Sequence, residues 1–416
     1  MKTQAPAKRR RRLPPRTGAY VGLIAVVGML NLLGLVMVLS SSSVQAQRYH
    51  GSPWFFFNRQ VLWVAIATTG LVVMSRIDYR RLRVLGAPII AISSVLMLIV
   101  LIPGVGITVS GSARWLGFGP FRMQPSELAK LGLLIFAADL LARRGEKMYD
   151  KRQTLYPVMG AFLLVATLLM AQPDLGTTLV TGGIVIGVLF LAGLPLPSMV
   201  SLGLGAAITT FLLARFEPYR WQRMTSFLDP FADASNTGYQ AAQGRVALAA
   251  GGLLGVGLGS SRAKWGFLPA AHTDFIFAII GEELGLVGTL SVLAMFATFA
   301  ALGVRSTMRA PDRFGMLLAG GVTAWIVGQA TINVGAVVGL LPITGVPLPF
   351  VSAGGSSLVP LMAGVGVLLN ITRQSGSATR PPTGSTKVGA DAPRVKVKVT
   401  AKAKTKAAAA EATGGA

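Results

Sequence analysis

The chain has 416 residues, of which 52% are apolar and 13% are charged, and its mean hydropathy is +0.61. These values exclude a water-soluble domain of this size and indicate a membrane protein. The lack of cysteine excludes disulfide frameworks, thiolate catalysis and cysteine metal sites, and His50 and His272 are too few for a histidine metal cluster. The formal net charge of +24 would suggest nucleic acid as the partner of a soluble protein, so its meaning depends on where the basic residues lie.

Hydropathy predicts an all-helical, polytopic membrane protein with about ten transmembrane helices. A basic arm (1–17) comes first, a membrane domain (18–372) follows, and a basic tail (373–416) is rich in Lys, Ala, Thr, Gly and Pro, which is typical of disorder. Such a tail is attracted to anionic lipid headgroups or to an acidic partner, or simply extends the basic inner side. The predicted spans are 18–39, 54–74, 85–102, 127–142, 155–171, 175–193, 197–215, 275–303, 314–341 and 348–371.

The basic residues fall almost entirely on one side of these spans. With the N-terminus in the cytoplasm, 28 of the 39 Lys and Arg lie in inner segments, 10 lie in outer segments and Lys130 lies within a span. This asymmetry predicts that both termini are cytoplasmic. The net charge therefore reflects membrane orientation, and we expect no nucleic-acid partner.

The longest outer segment, about 216–274, is the one non-terminal region large enough to form a surface of its own. Its glycine-rich run GGLLGVGLGSS has no Gly-Lys-Ser/Thr and so does not fit a nucleotide P-loop. Residues 246–260 are too few to span a bilayer, and we expect a re-entrant or interfacial helix there.

An acidic cluster follows this segment in LPAAHTDFIFAIIGEELGLVG. Asp274 precedes an apolar run, where it could cap a helix or act as a base, and the two roles can coexist. Ionisable groups inside a membrane helix usually face a polar interior and mark a functional path. On a helix Glu282 lies about 80° from Asp274 and Glu283 nearly opposite, so Glu282 is the better candidate for a cavity, although both could simply hold the bundle together.

Two further helix starts carry charged residues. In RMQPSELAK, Pro125 and Glu127 are typical of a helix start, and Glu127 can pair with Lys130 three residues later or leave that lysine to an anionic ligand. Gln172-Pro173-Asp174 repeats the pattern, with capping favoured. The outer cations could bind a diphosphate or anchor lipid headgroups: Arg114, Arg122, Arg215, Arg220, Arg223, Arg245, Arg262 and Lys264.

From about residue 20 to residue 372 the chain resembles the SEDS membrane glycosyltransferases of bacterial cell-wall synthesis. The motifs that carry the resemblance are HTDFIFAIIGEELGLVG, RMQPSELAKL, QPDLGTTLV and NVGAVVGLLPITGVPLPFVSAGGSSL. SFLDPFAD, GGLLGVGLGSSRAKWGFLP and GEELG favour the division-type branch over the elongation-type branch. Two positions depart from the family pattern, because Ala270 stands in place of its usual acid and Ala353 in place of its usual tyrosine.

The resemblance implies a polymerase that joins lipid II units at the outer face of the bacterial cytoplasmic membrane, at the division septum, and releases undecaprenyl diphosphate. It implies a class B penicillin-binding protein and other division proteins as partners. The family's essential aspartate matches Asp274, which we expect to be catalytic. We expect the substrate-binding residues to be Glu127, Lys130, Arg114, His272, Glu282, Arg220 and Lys264.

A single carboxylate can suffice for this reaction. The diphosphate on the anomeric carbon of lipid II is a good leaving group, so what remains is a base for the 4-hydroxyl of the acceptor sugar. We assign that role to Asp274, with Lys130 and outer arginines, or a divalent cation (Mg²⁺ or Mn²⁺), stabilising the diphosphate. A lipid II flippase, an elongation-type polymerase and a scaffold with structural acids are the alternatives.

Overall fold

A computed structural model describes residues 18–109, 111–118, 121–145, 150–215, 221, 227–234, 236 and 238–378. The predicted basic arm (1–17), most of the predicted tail, and Arg220 and Arg223 lie outside these residues. Residues 379–416 also lie outside them.

Eleven helices of twelve residues or more occur in the described part of the chain. They are α1 (Gly18–His50), α2 (Phe55–Arg76), α3 (Gly86–Val100), α4 (Pro125–Arg143), α5 (Leu155–Ala171), α6 (Leu175–Ala192), α7 (Leu196–Arg215), α8 (Tyr239–Ala250), α9 (Ile276–Met308), α10 (Arg313–Val338) and α11 (Gly355–Ala378).

Each of the ten predicted spans coincides with one of these helices, and α8 is the additional one. By length and composition, six of the helices could cross a membrane: α1, α2, α6, α9, α10 and residues Gly355–Ser375 of α11. Helix α11 ends at Ala378, past residue 373, where the predicted tail begins.

Local signals in the sequence account for several helix ends. The side chain of Asp174 accepts a hydrogen bond from the backbone N–H of Thr177 at the start of α6, and Asp312 does the same for Gly315 at the start of α10. Pro125 occupies the first turn of α4, where its missing N–H costs nothing.

The expectation of an all-helical chain is wrong between α3 and α4. A three-stranded antiparallel sheet lies there, with β1 (Gly106–Val109), β2 (Ser112–Phe118) and β3 (Phe121–Met123) in the order β1-β2-β3. Ile107 pairs with Trp115 and Leu116 pairs with Met123. The strands have three to seven residues, too few for a clear alternating pattern to stand out beside the long apolar helices.

The predicted helix at 246–260 is wrong in its bounds. Helix α8 ends at Ala250, and residues 251–260 form turns in which Gly252, Gly255, Gly257 and Gly259 have positive φ angles. A run of left-handed residues cannot continue an α-helix, so the helix lies earlier in the chain than its apolar composition suggests.

Helix α9 is broken at Gly285, whose φ of 66° and ψ of −162° fall outside the helical region. The glycine turns supply the backbone partners that the break needs. Leu286 N donates to Gly252 O (2.9 Å), and Val256 N donates to Glu282 O (2.9 Å). Backbone groups at membrane depth must be satisfied within the protein, so the turns and the break form one unit.

The helix bundle has two ends, and α11 connects them. Near one end Asn370 accepts a hydrogen bond from Tyr79 N (3.3 Å) and Arg80 pairs with Asp312 (2.9 Å), and we name this the Asp312 end. Ser356, about 21 Å away at 1.5 Å per residue, accepts from Gln124 N (2.9 Å). The turns before α2, α4, α6, α9 and α11 meet there, at what we name the Asp274 end.

Candidate functional site

Asp274 lies immediately before α9, which begins at Ile276 with Phe275 at the N-cap. The residue is partly buried. A carboxylate oxygen of Asp274 lies 3.6 Å from the position that a Cβ would occupy on Gly345, whose φ of +70° favours glycine. The carboxylate therefore lies next to the turn at Gly345.

The turn at Gly345 belongs to residues 339–354, which connect α10 to α11 and which we call the central loop. The central loop is bound to the backbone around Asp274 on both sides. Asn333 Nδ2 donates to Asp274 O (2.7 Å) and to Val346 O (2.8 Å). Ser352 Oγ donates to Thr273 O (2.6 Å). These bonds fix the backbone of Asp274 without using its carboxylate.

Glu127 and Lys130 form a buried ion pair near the start of α4. Lys130 Nζ lies 2.8 Å from Glu127 Oε1, and their side chains are 2% and 5% exposed. The same ammonium lies 5.3 Å from the centre of the Trp325 ring on α10. The predicted pairing is confirmed, and Lys130 has partners within the protein.

Arg114 on β2 is bound to the turn that precedes α6. Its guanidinium lies 3.5 Å from Asp174 Oδ1 and donates to the carbonyls of Gln172 (3.2 Å) and Pro173 (2.5 Å). Asp174 also caps α6, as the sequence predicts. Arg114 therefore ties the sheet to the helix bundle at the Asp274 end.

Glu282 and Glu283 both bind the turn at 261–264. Glu282 accepts from Arg262 N (2.8 Å), and Glu283 accepts from Ser40 Oγ (2.6 Å). Lys264 Nζ lies 3.8 Å from Glu283 Oε1 and donates to the Gly259 carbonyl. The three charged side chains are buried and join α1, the glycine turns and the first half of α9.

His272 packs beside α2, with its ring centre 5.0 Å from that of Phe56. Burial lowers the pKa of His272 below its usual value of 6.5, so the imidazole is neutral near pH 7. The backbone carbonyl of His272 accepts from Ala353 N (2.9 Å). His272 therefore helps to hold the central loop in place.

Several buried polar atoms without a hydrogen-bond partner among the described residues lie at the Asp274 end, and others lie elsewhere in the bundle. Buried polar atoms are normally paired, so such a group indicates bound water or a polar ligand. They include Ser126 Oγ, Glu127 Oε2, Gln172 Oε1, His272 Nδ1, Asn333 Oδ1 and Thr344 Oγ1.

The predicted site residues thus fall into three groups. Asp274 and His272 lie in the segment that contacts the central loop. Glu127, Lys130 and Arg114 lie at neighbouring helix and strand ends of the same end of the bundle, whereas Glu282 and Lys264 bind the glycine turns. Sequence reasoning missed Asn333 and the central loop as the support of Asp274, although both lie within the motif NVGAVVGLLPITGVPLPFVSAGGSSL.

Residues that could hold a metal ion do not cluster in the described part of the chain. No group of three or more His, Asp or Glu side chains with suitable placement occurs there. The described side chains therefore do not build a protein cage for Mg²⁺ or Mn²⁺, which usually bind through one or two carboxylates together with substrate phosphates. The divalent cation stays a prediction.

The chain matches a family model described as "Cell cycle protein", which groups FtsW, RodA and SpoVE, over residues 21–377. It is 44% identical over 374 residues to a probable peptidoglycan glycosyltransferase FtsW of Mycobacterium tuberculosis, covering 88% of this chain and 71% of that one. It is 39% identical over 360 residues to the stage V sporulation protein E of Bacillus subtilis, covering 86% and 98%.

Solved structures share the fold. A chain of a peptidoglycan synthase complex that coordinates polymerisation and crosslinking superposes with a TM-score of 0.71 at 29% identity, covering 85% of this chain and 98% of that one. The rod shape determining protein RodA of Thermus thermophilus superposes with a TM-score of 0.62 at 28% identity, covering 85% and 96%.

Proposed function

The chain belongs to the FtsW, RodA and SpoVE family and is a peptidoglycan glycosyltransferase, and we propose that it polymerises lipid II at the outer face of the cytoplasmic membrane during septal wall synthesis. The observation that carries the enzymatic assignment is 44% identity over 88% of the chain to a relative named as such an enzyme. Higher identity to FtsW relatives than to the RodA structure favours the division role over the elongation role.

The proposed orientation has ten spans, both termini in the cytoplasm and the Asp274 end outside. The ten long helices that coincide with predicted spans support it. So does the placement of the basic turn Tyr79–Val84 and of Arg313 at the Asp312 end, where positive charge favours the cytoplasm. The lipid-linked substrate then reaches Asp274 from the outer leaflet.

In the proposed reaction, Asp274 is the general base. The 4-hydroxyl oxygen of the acceptor sugar bonds to the anomeric carbon of the donor and gives its proton to the Asp274 carboxylate. The bond between that carbon and the diphosphate oxygen breaks, and undecaprenyl diphosphate leaves with the electron pair. The fixed backbone of Asp274 supports this role, because positioned catalytic groups need no reorganisation during the reaction.

Two further parts of the proposal concern the surroundings of Asp274. Glu127, Lys130, Arg114 and His272 line the region of unpaired buried polar atoms, and we propose that they contact the substrate or the water around it. A class B penicillin-binding protein is the proposed partner, and the similarity to a chain of a polymerising and crosslinking complex supports it.

A lipid II flippase is the second candidate, and the break in α9 is the observation that favours it. Transporters build their sites from broken helices whose free backbone groups face the substrate. In this chain the glycine turns form hydrogen bonds with the backbone on both sides of Gly285. Those backbone groups are therefore not free to bind a transported substrate, which favours the polymerase over the flippase.

The test measures polymerisation of fluorescent lipid II by purified protein, with and without its cognate penicillin-binding protein. Asp274→Asn keeps the shape of the side chain and removes its basicity. Asp78→Asn, at the Asp312 end, is the control, because it also removes one negative charge. We expect polymer from wild type and Asp78→Asn and none from Asp274→Asn at matched folded levels.

Equal polymer from Asp274→Asn would place the base elsewhere. No polymer from wild type in the presence of an active partner, together with transfer of labelled lipid II across proteoliposomes, would favour the flippase. Wild-type polymer yields that survive Asp274→Asn while binding of the partner is lost would favour the scaffold.

A further inference from the structure

Helix α4 connects the two ends of the bundle. It begins at the Asp274 end with Pro125, and its last residue, Arg143, lies at the Asp312 end. A groove of about 220 Å³ lies along the last two turns of the helix, and we name it the α4 groove. Its lining residues are Phe136, Asp139, Leu140, Arg143 and Arg144. None of them takes part in the proposed reaction at Asp274.

The α4 groove has an apolar part and a charged part. Phe136, Leu140 and Arg143 lie on one face of the helix, because they are four and three positions apart. Phe136 and Leu140 are partly buried, and Phe136 is about 10 Å from Arg143 along the helix axis. Helix α3 packs closely there, since a Cβ on Gly86 would lie 2.6 Å from Phe136 N. The groove is therefore apolar toward the middle of the bundle and charged at its end.

The charged part carries more guanidinium groups than carboxylates. Arg143 binds Asp139 through two nitrogens, each 2.9 Å from a carboxylate oxygen. Arg83, in the basic turn before α3, places its Nε 3.8 Å from the same carboxylate. That Nε is buried and has no hydrogen-bond partner among the described residues. Asp139 can neutralise only one of the two arginines, and Arg144 adds a third positive charge.

The guanidinium groups of the α4 groove retain N–H donors for a further anion. A guanidinium has five N–H donors, of which Arg143 uses two on Asp139 and Arg144 uses one on the carbonyl of Gln153. Within the part of the chain that the structure describes, Arg144 has no carboxylate partner. Phosphate oxygens suit this set, because a guanidinium donates two parallel hydrogen bonds to them.

The apolar part of the groove distinguishes a lipid from a soluble anion. A soluble phosphate would contact only the arginines and would leave Phe136 and Leu140 without a partner. An anionic phospholipid offers a phosphate to the charged part and an acyl chain to the apolar part. Basic pockets between membrane helices on the cytoplasmic side bind such headgroups. The excess of positive charge favours a headgroup with net negative charge over a zwitterionic one.

We propose that the α4 groove binds an anionic phospholipid of the inner leaflet. Arg143, Arg144 and Arg83 hold the phosphate. Leu140 and Phe136 contact an acyl chain. The lipid joins the end of α4 to the basic turn before α3, which Asp139 alone holds through a long ion pair. The assignment to the inner leaflet rests on the proposed orientation, whereas the binding itself does not.

The test is a binding measurement and needs no polymerase activity. The purified full-length protein in detergent micelles is titrated with phosphatidylglycerol or with phosphatidylcholine. Native mass spectrometry counts the bound lipids and gives the apparent dissociation constant, and the melting temperature is recorded in parallel. Glycerol 3-phosphate is the soluble competitor, because it carries the phosphate without acyl chains.

The variants remove one or both exposed charges of the groove: Arg143→Gln, Arg144→Gln and the double variant. The matched controls are Arg309→Gln and the double variant Arg305→Gln with Arg309→Gln. Arg305 and Arg309 are exposed arginines at the end of α9, at the same end of the bundle. They remove the same charge from the same side without touching the groove.

We expect wild type to bind phosphatidylglycerol more tightly than phosphatidylcholine and to melt at a higher temperature with it. Each groove variant should weaken phosphatidylglycerol binding about tenfold, because a charge-assisted pair is lost, and the double variant should weaken it further. The controls should bind nearly as wild type does. Arg143→Lys should recover part of the affinity, since the charge remains and the fork is lost.

An equal loss in the controls and the groove variants would overturn the proposal, since it describes general attraction to a basic surface. So would equal binding of the two lipids, or displacement of phosphatidylglycerol by glycerol 3-phosphate, which describes a soluble-anion site. If Arg143→Gln does not fold, because Asp139 loses its partner, Arg144→Gln decides. Failure of the wild type to polymerise lipid II would leave these results unaltered and would count against the proposed function alone.

Discussion

The side-chain amide of Asn333 donates a hydrogen bond of 2.7 Å to the backbone carbonyl of Asp274. The same amide bonds Val346 O, so one side chain on α10 spans the two backbone segments that meet at the carboxylate. Polar side chains in membrane bundles often join helices in this way. Here the bond joins the candidate base to the central loop.

Replacing Asn333 with Ala should impair both folding and catalysis, so turnover is compared at matched folded levels. The change leaves two carbonyls unpaired, at roughly 1–3 kcal/mol for each buried group, and frees the backbone of Asp274. We expect polymerisation to fall tenfold or more, because a small misplacement of a catalytic group is costly. Lipid II turnover and melting temperature would be measured together, with Thr331→Ala, exposed on the same helix, as control. Wild-type turnover would contradict the positioning role.

Replacing Gly285 with Ala should destabilise the protein strongly. Its backbone angles belong to a region open essentially to glycine, at a cost of about 1–3 kcal/mol for other residues. A Cβ there would also lie 2.4 Å from Gly255 N. Gly28→Ala in α1 is the control, because nothing lies within 4 Å of its Cβ. We expect a lower yield of monodisperse protein and a lower melting temperature for Gly285→Ala alone, and equal behaviour of the two variants would refute the break.

Breaking the Glu127–Lys130 pair should cost about 3–5 kcal/mol in either single variant, because each leaves a buried charge unpaired. Glu127→Gln with Lys130→Met should recover most of that loss. The melting temperatures of the four proteins form the cycle that measures the coupling. Polymerisation by the double variant then separates a structural role from a substrate-binding role. If activity returns together with stability, the pair is structural.

The stability of the wild type should depend on the protonation of His272. Burial lowers its pKa in the folded protein below the usual 6.5, so the unfolded chain binds more protons between the two values. This contribution to stability is fully present above about pH 6.5 and is lost as the pH falls toward the folded pKa. Melting temperatures between pH 5 and 8 should show a smaller acid loss for His272→Gln than for wild type or His50→Gln.

Hydropathy and charge were enough to predict the long helices, because each reflects local composition. The break at Gly285 could not be predicted in this way, since IIGEELGLVG continues a helical apolar pattern. It depends on hydrogen bonds from the glycine turns about 30 residues earlier in the chain. The same glycines displaced the predicted helix at 246–260 toward the N-terminus.

The candidate site could be predicted only in part, because local composition identifies some of its residues and long-range contacts identify the others. Asp274 is identifiable because an acid at the edge of an apolar run is unusual. Asn333 is an ordinary residue within an apolar helix, and only its tertiary contacts show that it supports Asp274. Asn333 bonds Asp274 across 59 positions, and Gln60 bonds Ser352 across 292.

The dependence of Asp274 on the central loop also sets an order for biosynthesis. The ribosome completes Asp274 before it makes Asn333 and Ser352, the two side chains that fix the backbone there. A nascent chain that has inserted only its first eight long apolar helices therefore carries the aspartate without its supports. On the proposed mechanism, a growing chain can become competent only after α10 and the central loop have been made.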